Sequence, residues 1–96
     1  MVLISGMRHS EAMNKKHTNT LEAIFAKPVP NTLPFRNIES LMRALGFQVK
    51  EKEGSRVSFR KDGRVFNTHR PHPGNTAFPY QLRELREVLE QMGIKP

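Results

Sequence analysis

The chain has 96 residues and a net charge of +7, and it contains no cysteine. A chain of this length forms one small domain around a single core, so we do not expect a deep substrate cleft. The lack of cysteine excludes disulfides, thiolate nucleophiles and cysteine-ligated zinc. No apolar run is long enough to cross a bilayer, and the start MVLISGM is too short for a signal peptide. We therefore expect a cytoplasmic protein without a membrane partner.

The positive charge is concentrated in about a quarter of the chain. Residues 50–74 hold seven basic and three acidic residues, and so carry more than half of the net excess. A local surplus of this kind attracts polyanions and speeds their encounter with the protein. Charge alone also leaves open a basic surface that has no dedicated partner.

The first part of the chain predicts a tail and a short helix. Residues 1–16 show neither a helical nor a strand period, so we predict a flexible tail before a single domain over residues 17–96. Asn19 and Glu22 have the spacing of a capping box, which predicts a helix from there to about Ala26. Prolines end this helix.

Apolar residues at helical spacing predict a second helix from Phe35 to Leu45, with Gly46 as its left-handed C-terminal cap. The period then becomes two residues. This change predicts three strands joined by the turn Glu53-Gly54-Ser55 and by an Asp62-Gly63 hairpin. Three strands linked so closely form an antiparallel meander.

A last helix is predicted from an apolar face made by Leu82, Leu85, Leu89 and Met92. Spacings of four residues predict exposed ion pairs on its other side, joining Arg83 with Glu87 and Arg86 with Glu90. The element order predicts an α+β fold in which helices pack on one face of a three-stranded antiparallel sheet. The other face of the sheet is then open to basic side chains.

Two histidines, His69 and His72, follow the third strand among several arginines. An imidazole can take the proton from an RNA 2′-hydroxyl, or protonate the leaving 5′-oxygen, near physiological pH. The alternative is a pair of loop histidines that bind only solvent or a backbone carbonyl. No further ligands accompany their spacing, so we predict no metal site and no cofactor. His9 and His17, in or beside the tail, are expected to be solvated.

Five motifs occur in a fixed order: the helix IESLMRALGF, the turn GSRVSF, the hairpin DGR, the loop RPHPG and a last helix ending in QMGI. Together they resemble the HicA-type toxins of bacterial toxin–antitoxin pairs, over roughly residues 34–94. The resemblance implies a double-stranded-RNA-binding-domain-like α-β-β-β-α fold. The segment HTNTLEAIFAKPVP looks like the N-terminal extension of a longer subgroup, and it adds one helix.

The family resemblance also implies a function. It implies a metal-independent endoribonuclease that cleaves mRNA and is neutralised by a HicB-type antitoxin. Two alternatives stay open beside this interpretation. One is a non-catalytic RNA-binding module, and the other is a protein-interaction domain whose basic sheet meets an acidic partner.

In typical members of this family, a histidine essential for cleavage follows the Gly-Ser turn, and here that position holds Arg56. An arginine keeps its proton near neutral pH, so another group must move the protons. His72 matches the family's loop histidine most directly and is the first candidate, with His69 next. Arg56 and Arg70 would then bind the phosphate, and Ser55 would donate a further hydrogen bond.

Further RNA contacts are predicted for basic residues on strands and turns, where they can follow a phosphate backbone. These residues are Lys50, Lys52, Arg60, Lys61 and Arg64. An aromatic side chain on an RNA-binding sheet can also stack on a base, so Phe66 is predicted either to do this or to pack in the core.

Overall fold

The structure, a computed structural model, describes residues 14–96 and contains three helices and three strands within them. In chain order these are α1 (Lys15–Phe25), α2 (Phe35–Ala44), β1 (Gln48–Glu51), β2 (Arg56–Lys61), β3 (Arg64–His69) and α3 (Pro79–Gln91). The predicted α+β class and the α-β-β-β-α order with one additional N-terminal helix are confirmed. No helix within residues 14–96 is both long and apolar enough to cross a membrane.

The three strands form one antiparallel sheet in the order β1-β2-β3. In the central strand, Phe59 lies directly opposite Val49 on one side and Phe66 on the other. Asp62 and Gly63 connect β2 to β3 with φ angles of 51° and 79°. Two successive positive φ angles are those of a type I′ turn, whose twist matches that of the paired strands. The predicted Asp-Gly hairpin is therefore confirmed.

The core lies between one face of the sheet and the helices. Phe59 is fully buried, and its ring stacks on that of Phe66 with 6.3 Å between centroids. Phe66 is only 8% exposed, so it packs in the core and is not available to stack on a base. The helices α2 and α3 contact the sheet, and α1 packs against both of them. Their largest fully buried side chains are Leu21, Ile24, Ile38, Leu41, Met42, Leu82, Leu85 and Leu89.

The start of α1 differs from the prediction. The helix begins at Lys15 and is capped by Asn14, whose side-chain oxygen accepts a hydrogen bond from the His17 amide at 2.9 Å. Asn19 lies in the second turn, where helical bonds already engage the backbone amides, so the predicted cap there is wrong. The structure does not describe residues 1–13, where His9 and most of the predicted tail lie.

Three further expectations about side chains are wrong. His17 is not solvated, because its Nε2 atom shares a hydrogen bond with Ser40 Oγ at 2.8 Å, which links α1 to α2. Arg86 does not pair with Glu90, and instead donates to the carbonyl oxygen of Ala26 at 3.2 Å. That carbonyl lies at the C-terminal end of α1, where unpaired carbonyls attract cations. Among residues 14–96, Arg83 forms no ion pair with a carboxylate either.

Candidate active site

The face of the sheet that points away from the helices is predominantly polar. Side chains alternate along a strand, so Val57 and Phe59 enter the core while the residues between and beside them lie on the opposite face. The strand register places side chains of β1 and β3 beside them. We call this surface the open face, and it comprises seven exposed residues and the buried Ser58, the exposed ones being Gln48, Lys50, Arg56, Arg60, Val65, Asn67 and His69. These eight residues include three cations and no carboxylate.

Arg56 and His69 lie directly opposite each other where β2 begins and β3 ends. In the next pair along the ladder, the Arg70 amide donates to the Ser55 carbonyl oxygen at 2.8 Å. Hydrogen-bonded and non-hydrogen-bonded pairs alternate in an antiparallel ladder, so Arg56 and His69 form a non-hydrogen-bonded pair. Side chains approach most closely in such pairs, with Cβ atoms about 5 Å apart. Both residues are exposed.

His72 lies three residues farther along, in the loop between β3 and α3. Its side chain is exposed, whereas the preceding Pro71 is buried. Neither strand pairing nor a hydrogen bond links it to Arg56 or Ser55 in the described part of the chain. The structure thus brings His69 next to Arg56 and gives His72 no comparable position.

Arg70 is engaged by two carboxylates. Its Nε and Nη2 atoms donate to the two carboxylate oxygens of Glu39 at 2.7 and 3.1 Å, and Nη2 also donates to Glu51 at 3.3 Å. The hydrogen bond to Glu39 is the main reason that the pKa of Arg70 is raised above its ordinary value. Alternation along β3 also places Arg70 on the side opposite to His69. This ion pair anchors the end of β3 to α2 instead of presenting a cation on the open face.

Gln81, which the sequence reasoning missed, also binds the end of β3, and it does so from α3. It is 2% exposed, and its side-chain nitrogen donates to Thr68 Oγ1 and to the His69 carbonyl oxygen, both at 2.8 Å. Its side-chain oxygen accepts from the Phe78 amide at 2.9 Å. The signal in the sequence was a glutamine in the first turn of a helix that directly follows a loop. The backbone of His69 is thereby tied to the first turn of α3.

The six remaining basic residues of the predicted site divide into two groups. Lys61 donates to the carbonyl oxygen of Leu45 and lies 5.7 Å from the centre of the Phe47 ring, and Arg64 donates to Gln91 Oε1 at 2.8 Å. These two cations stabilise the fold at the hairpin end of the sheet. The second group has side chains without a hydrogen bond or ion pair to any residue in the range 14–96, and consists of Lys50, Lys52, Arg56 and Arg60.

The site offers two kinds of chemistry. A guanidinium can bind two phosphate oxygens through parallel hydrogen bonds, and an imidazole can exchange a proton near neutral pH. No group of three histidine or acidic side chains within residues 14–96 has the arrangement needed to hold a metal ion. The register of β2 and β3 brings one group of each kind, Arg56 and His69, onto the same surface.

A family model described as the HicA toxin of bacterial toxin–antitoxin matches residues 35–94. The matched region holds α2, the whole sheet and α3, and it leaves α1 outside. It is nearly the same region that carries the resemblance noted from the sequence. Comparisons with curated proteins and with solved structures gave no significant match.

Proposed function

The chain belongs to the HicA toxin family of bacterial toxin–antitoxin systems, and we propose that it is an endoribonuclease that cleaves mRNA without a metal ion. The single observation that carries this proposal is the pairing of Arg56 with His69 on a cationic sheet face. A phosphate bound by the arginine has an imidazole within reach of its neighbouring hydroxyl. In this proposal, the guanidinium of Arg56 provides the positive charge and the imidazole of the neighbouring His69 transfers the proton.

In the proposed reaction, the guanidinium of Arg56 donates hydrogen bonds to the non-bridging oxygens of the scissile phosphate and stabilises the charge that develops there. His69 takes the proton from the adjacent 2′-hydroxyl, and the 2′-oxygen attacks phosphorus. The bond to the 5′-oxygen breaks, and this oxygen receives a proton from His72 or from water. The products are a 2′,3′-cyclic phosphate and a 5′-hydroxyl end.

The proposal assigns RNA binding to the cations that the fold does not use. Lys50 and Arg60 lie with Arg56 on the open face, and Lys52 is exposed just beyond β1. Arg56 and Arg60 are separated by about 13 Å along β2, so they can contact different phosphates of one strand. The Ser55 hydroxyl lies beside Arg56 in the chain and can add a hydrogen bond. Arg70, which binds Glu39, contributes by fixing the end of β3.

We further propose that the neutralising partner is a HicB-type antitoxin that covers the open face. A surface with three cations and no carboxylate favours a partner that presents acidic side chains. A stable complex would be expected to bury on the order of a thousand Å² or more. Such coverage would block phosphate access to Arg56 and His69 at the same time.

A non-catalytic RNA-binding module is the second candidate function, and the observation that favours it is Arg56 itself. Arginine binds phosphate but does not act as a base, so the site has one imidazole fewer than the family pattern implies. A domain that only docks on an acidic protein is the third candidate. Such a domain would need the cations of the open face, but His69 would have no role in it.

Incubation of the purified protein with RNA, with and without a chelator, tests the proposal. We expect cleavage that continues in the chelator and yields 2′,3′-cyclic phosphate ends, which distinguish this reaction from metal-dependent hydrolysis. Induced expression should also stop growth and fragment cellular RNA. Folded protein that binds RNA and leaves it intact would support the second candidate. Protein that does not bind RNA at all would support the third.

A further inference from the structure

Two aromatic rings are exposed at the start of α3. Phe78 and Tyr80 are 42% and 41% exposed, whereas the other phenylalanines of the sheet region are buried. Their rings are nearly parallel, with 9° between planes and 5.9 Å between centroids. Because both residues keep about two fifths of their surface exposed, together they present an aromatic surface to solvent. Neither ring is part of the core that stabilises the domain.

This surface lies at the same end of the sheet as Arg56 and His69. The Gln81 side chain joins the Phe78 amide to the His69 carbonyl oxygen through two hydrogen bonds of 2.9 and 2.8 Å. Because one amide group spans the remaining gap, those two backbone atoms lie within about 8 Å of each other. A nucleotide next to the cleaved phosphate can therefore reach the aromatic surface.

We propose that Phe78 and Tyr80 form a stacking platform for a nucleobase of the RNA, next to the phosphate bound by Arg56. This inference rests on the ribonuclease function proposed above. A 2′-hydroxyl attacks in line only when the strand leaves the regular helical geometry, so the bases flanking the cleaved bond are unstacked. Aromatic side chains replace the lost stacking partners of such bases with little preference for sequence.

The charges around the two rings favour a nucleic acid over an apolar protein segment. Arg83 is exposed one helical turn after Tyr80, and it forms no ion pair with any residue in the described range. The open face adds Arg56 and Lys50 at the same end of the sheet. Apolar stacking surfaces beside unpaired cations match the alternation of bases and phosphates along a single strand.

The test measures binding of a short single-stranded oligoribonucleotide that carries a 2′-deoxy substitution at the cleaved nucleotide, so that it is bound but not cut. A set of the same oligonucleotides lacks one base at each position in turn. We expect the loss of one particular base to weaken binding to the unmodified protein by roughly tenfold. The variant Phe78→Leu/Tyr80→Leu should bind the complete oligonucleotide about tenfold more weakly and should not respond to that missing base.

Tyr80→Phe keeps the ring and should keep the response to the missing base, which separates stacking from loss of the hydroxyl. Circular dichroism and urea unfolding verify that each variant is folded. If the double leucine variant responds to every oligonucleotide as the unmodified protein does, the platform is overturned while the ribonuclease proposal stands. If that variant keeps its RNA affinity but no longer binds a HicB-type antitoxin, the surface belongs to a protein partner. If the unmodified protein binds no RNA, both proposals fail.

Discussion

The side-chain amide of Gln81 donates a hydrogen bond to the carbonyl oxygen of His69 at 2.8 Å, and this bond joins the last helix to the last residue of the sheet. The same side chain binds Thr68 and the amide of Phe78. Three polar groups, two on β3 and one at the residue before α3, thus share one buried partner. The orientation of the candidate catalytic residue therefore depends on a residue that does not contact the substrate.

Replacing Gln81 by leucine should lower the free energy of unfolding by about 1–3 kcal/mol, because three polar groups lose their common partner. Gln81→Glu should cost at least as much, since a carboxylate has no donor for the His69 carbonyl oxygen. Urea unfolding measures both effects. Glu87→Leu is the control on the exposed side of α3, where the side chain forms no hydrogen bond or ion pair with any residue in the range 14–96, and it should change stability by less than about 0.5 kcal/mol. Equal effects at the two positions would contradict the structural role of Gln81.

His69→Ala should abolish RNA cleavage and leave RNA binding largely intact, because the imidazole moves the proton and contributes little to the core. His72→Ala should slow cleavage less, since only His69 lies opposite Arg56. Cleavage rates and binding affinities of the two variants, measured on the same RNA, make the comparison. Full activity of His69→Ala together with an inactive His72→Ala would restore the ranking predicted from the sequence. Normal cleavage by the double variant would refute acid–base catalysis by either histidine.

Arg56→Lys should slow cleavage at least tenfold, because an ammonium group cannot reproduce the two parallel hydrogen bonds of a guanidinium. Single-turnover rates measure this loss without interference from product release. Arg43→Lys is the control, since Arg43 is exposed on α2, away from the open face. An Arg56→Lys variant with unchanged rate would mean that only the charge at this position matters.

Arg70→Met should destabilise the fold by about 1–2 kcal/mol, because Glu39 and Glu51 lose their shared cation. The pKa of Arg70 is raised in the folded protein, so its contribution is fully present below the ordinary arginine pKa. It is lost only as the pH rises through the still higher value of the folded state. The stability difference between the two proteins should therefore stay constant from about pH 6 to pH 10. A difference that vanishes within this window would contradict the ion pair.

Lys50→Ala and Arg60→Ala should each weaken RNA binding across sequences and reduce the salt dependence of log K by about 1. Titrations at several salt concentrations measure this slope. Lys61→Ala should instead lower stability, because its ammonium binds the end of α2. Arg86 lies on α3, away from the open face, where it donates to the carbonyl oxygen of Ala26. Arg86→Ala should therefore leave the salt dependence of log K unchanged. A slope that falls equally in all four variants would mean that total charge alone governs binding.

Much of the fold follows from local patterns. The apolar spacing of α2, the Asp62-Gly63 hairpin and the alternation of β2 depend on neighbours within a few residues, and the structure confirms all three. The predicted start of α1 is wrong because Asn14 and Asn19 are equally good caps by residue type. The candidate site is only partly predictable, because residue type alone does not say which side chains lie close together. The role of His72 stays a prediction from the family resemblance, whereas proximity to Arg56 depends on strand register.

The sequence by itself determined the residue types of the site, its cationic charge and the order of elements, because each of these is a property of composition or of short-range periodicity. Only the tertiary structure decided which of those residues meet. Arg56 faces His69 because the hairpin register pairs them, and a shift of one residue would place them on opposite faces. Arg70, which the sequence predicts as a phosphate ligand, is paired with Glu39 because folding brought that carboxylate to it from 31 residues away. Long-range pairing of this kind has no signature in local sequence, since either residue would look the same with or without its partner.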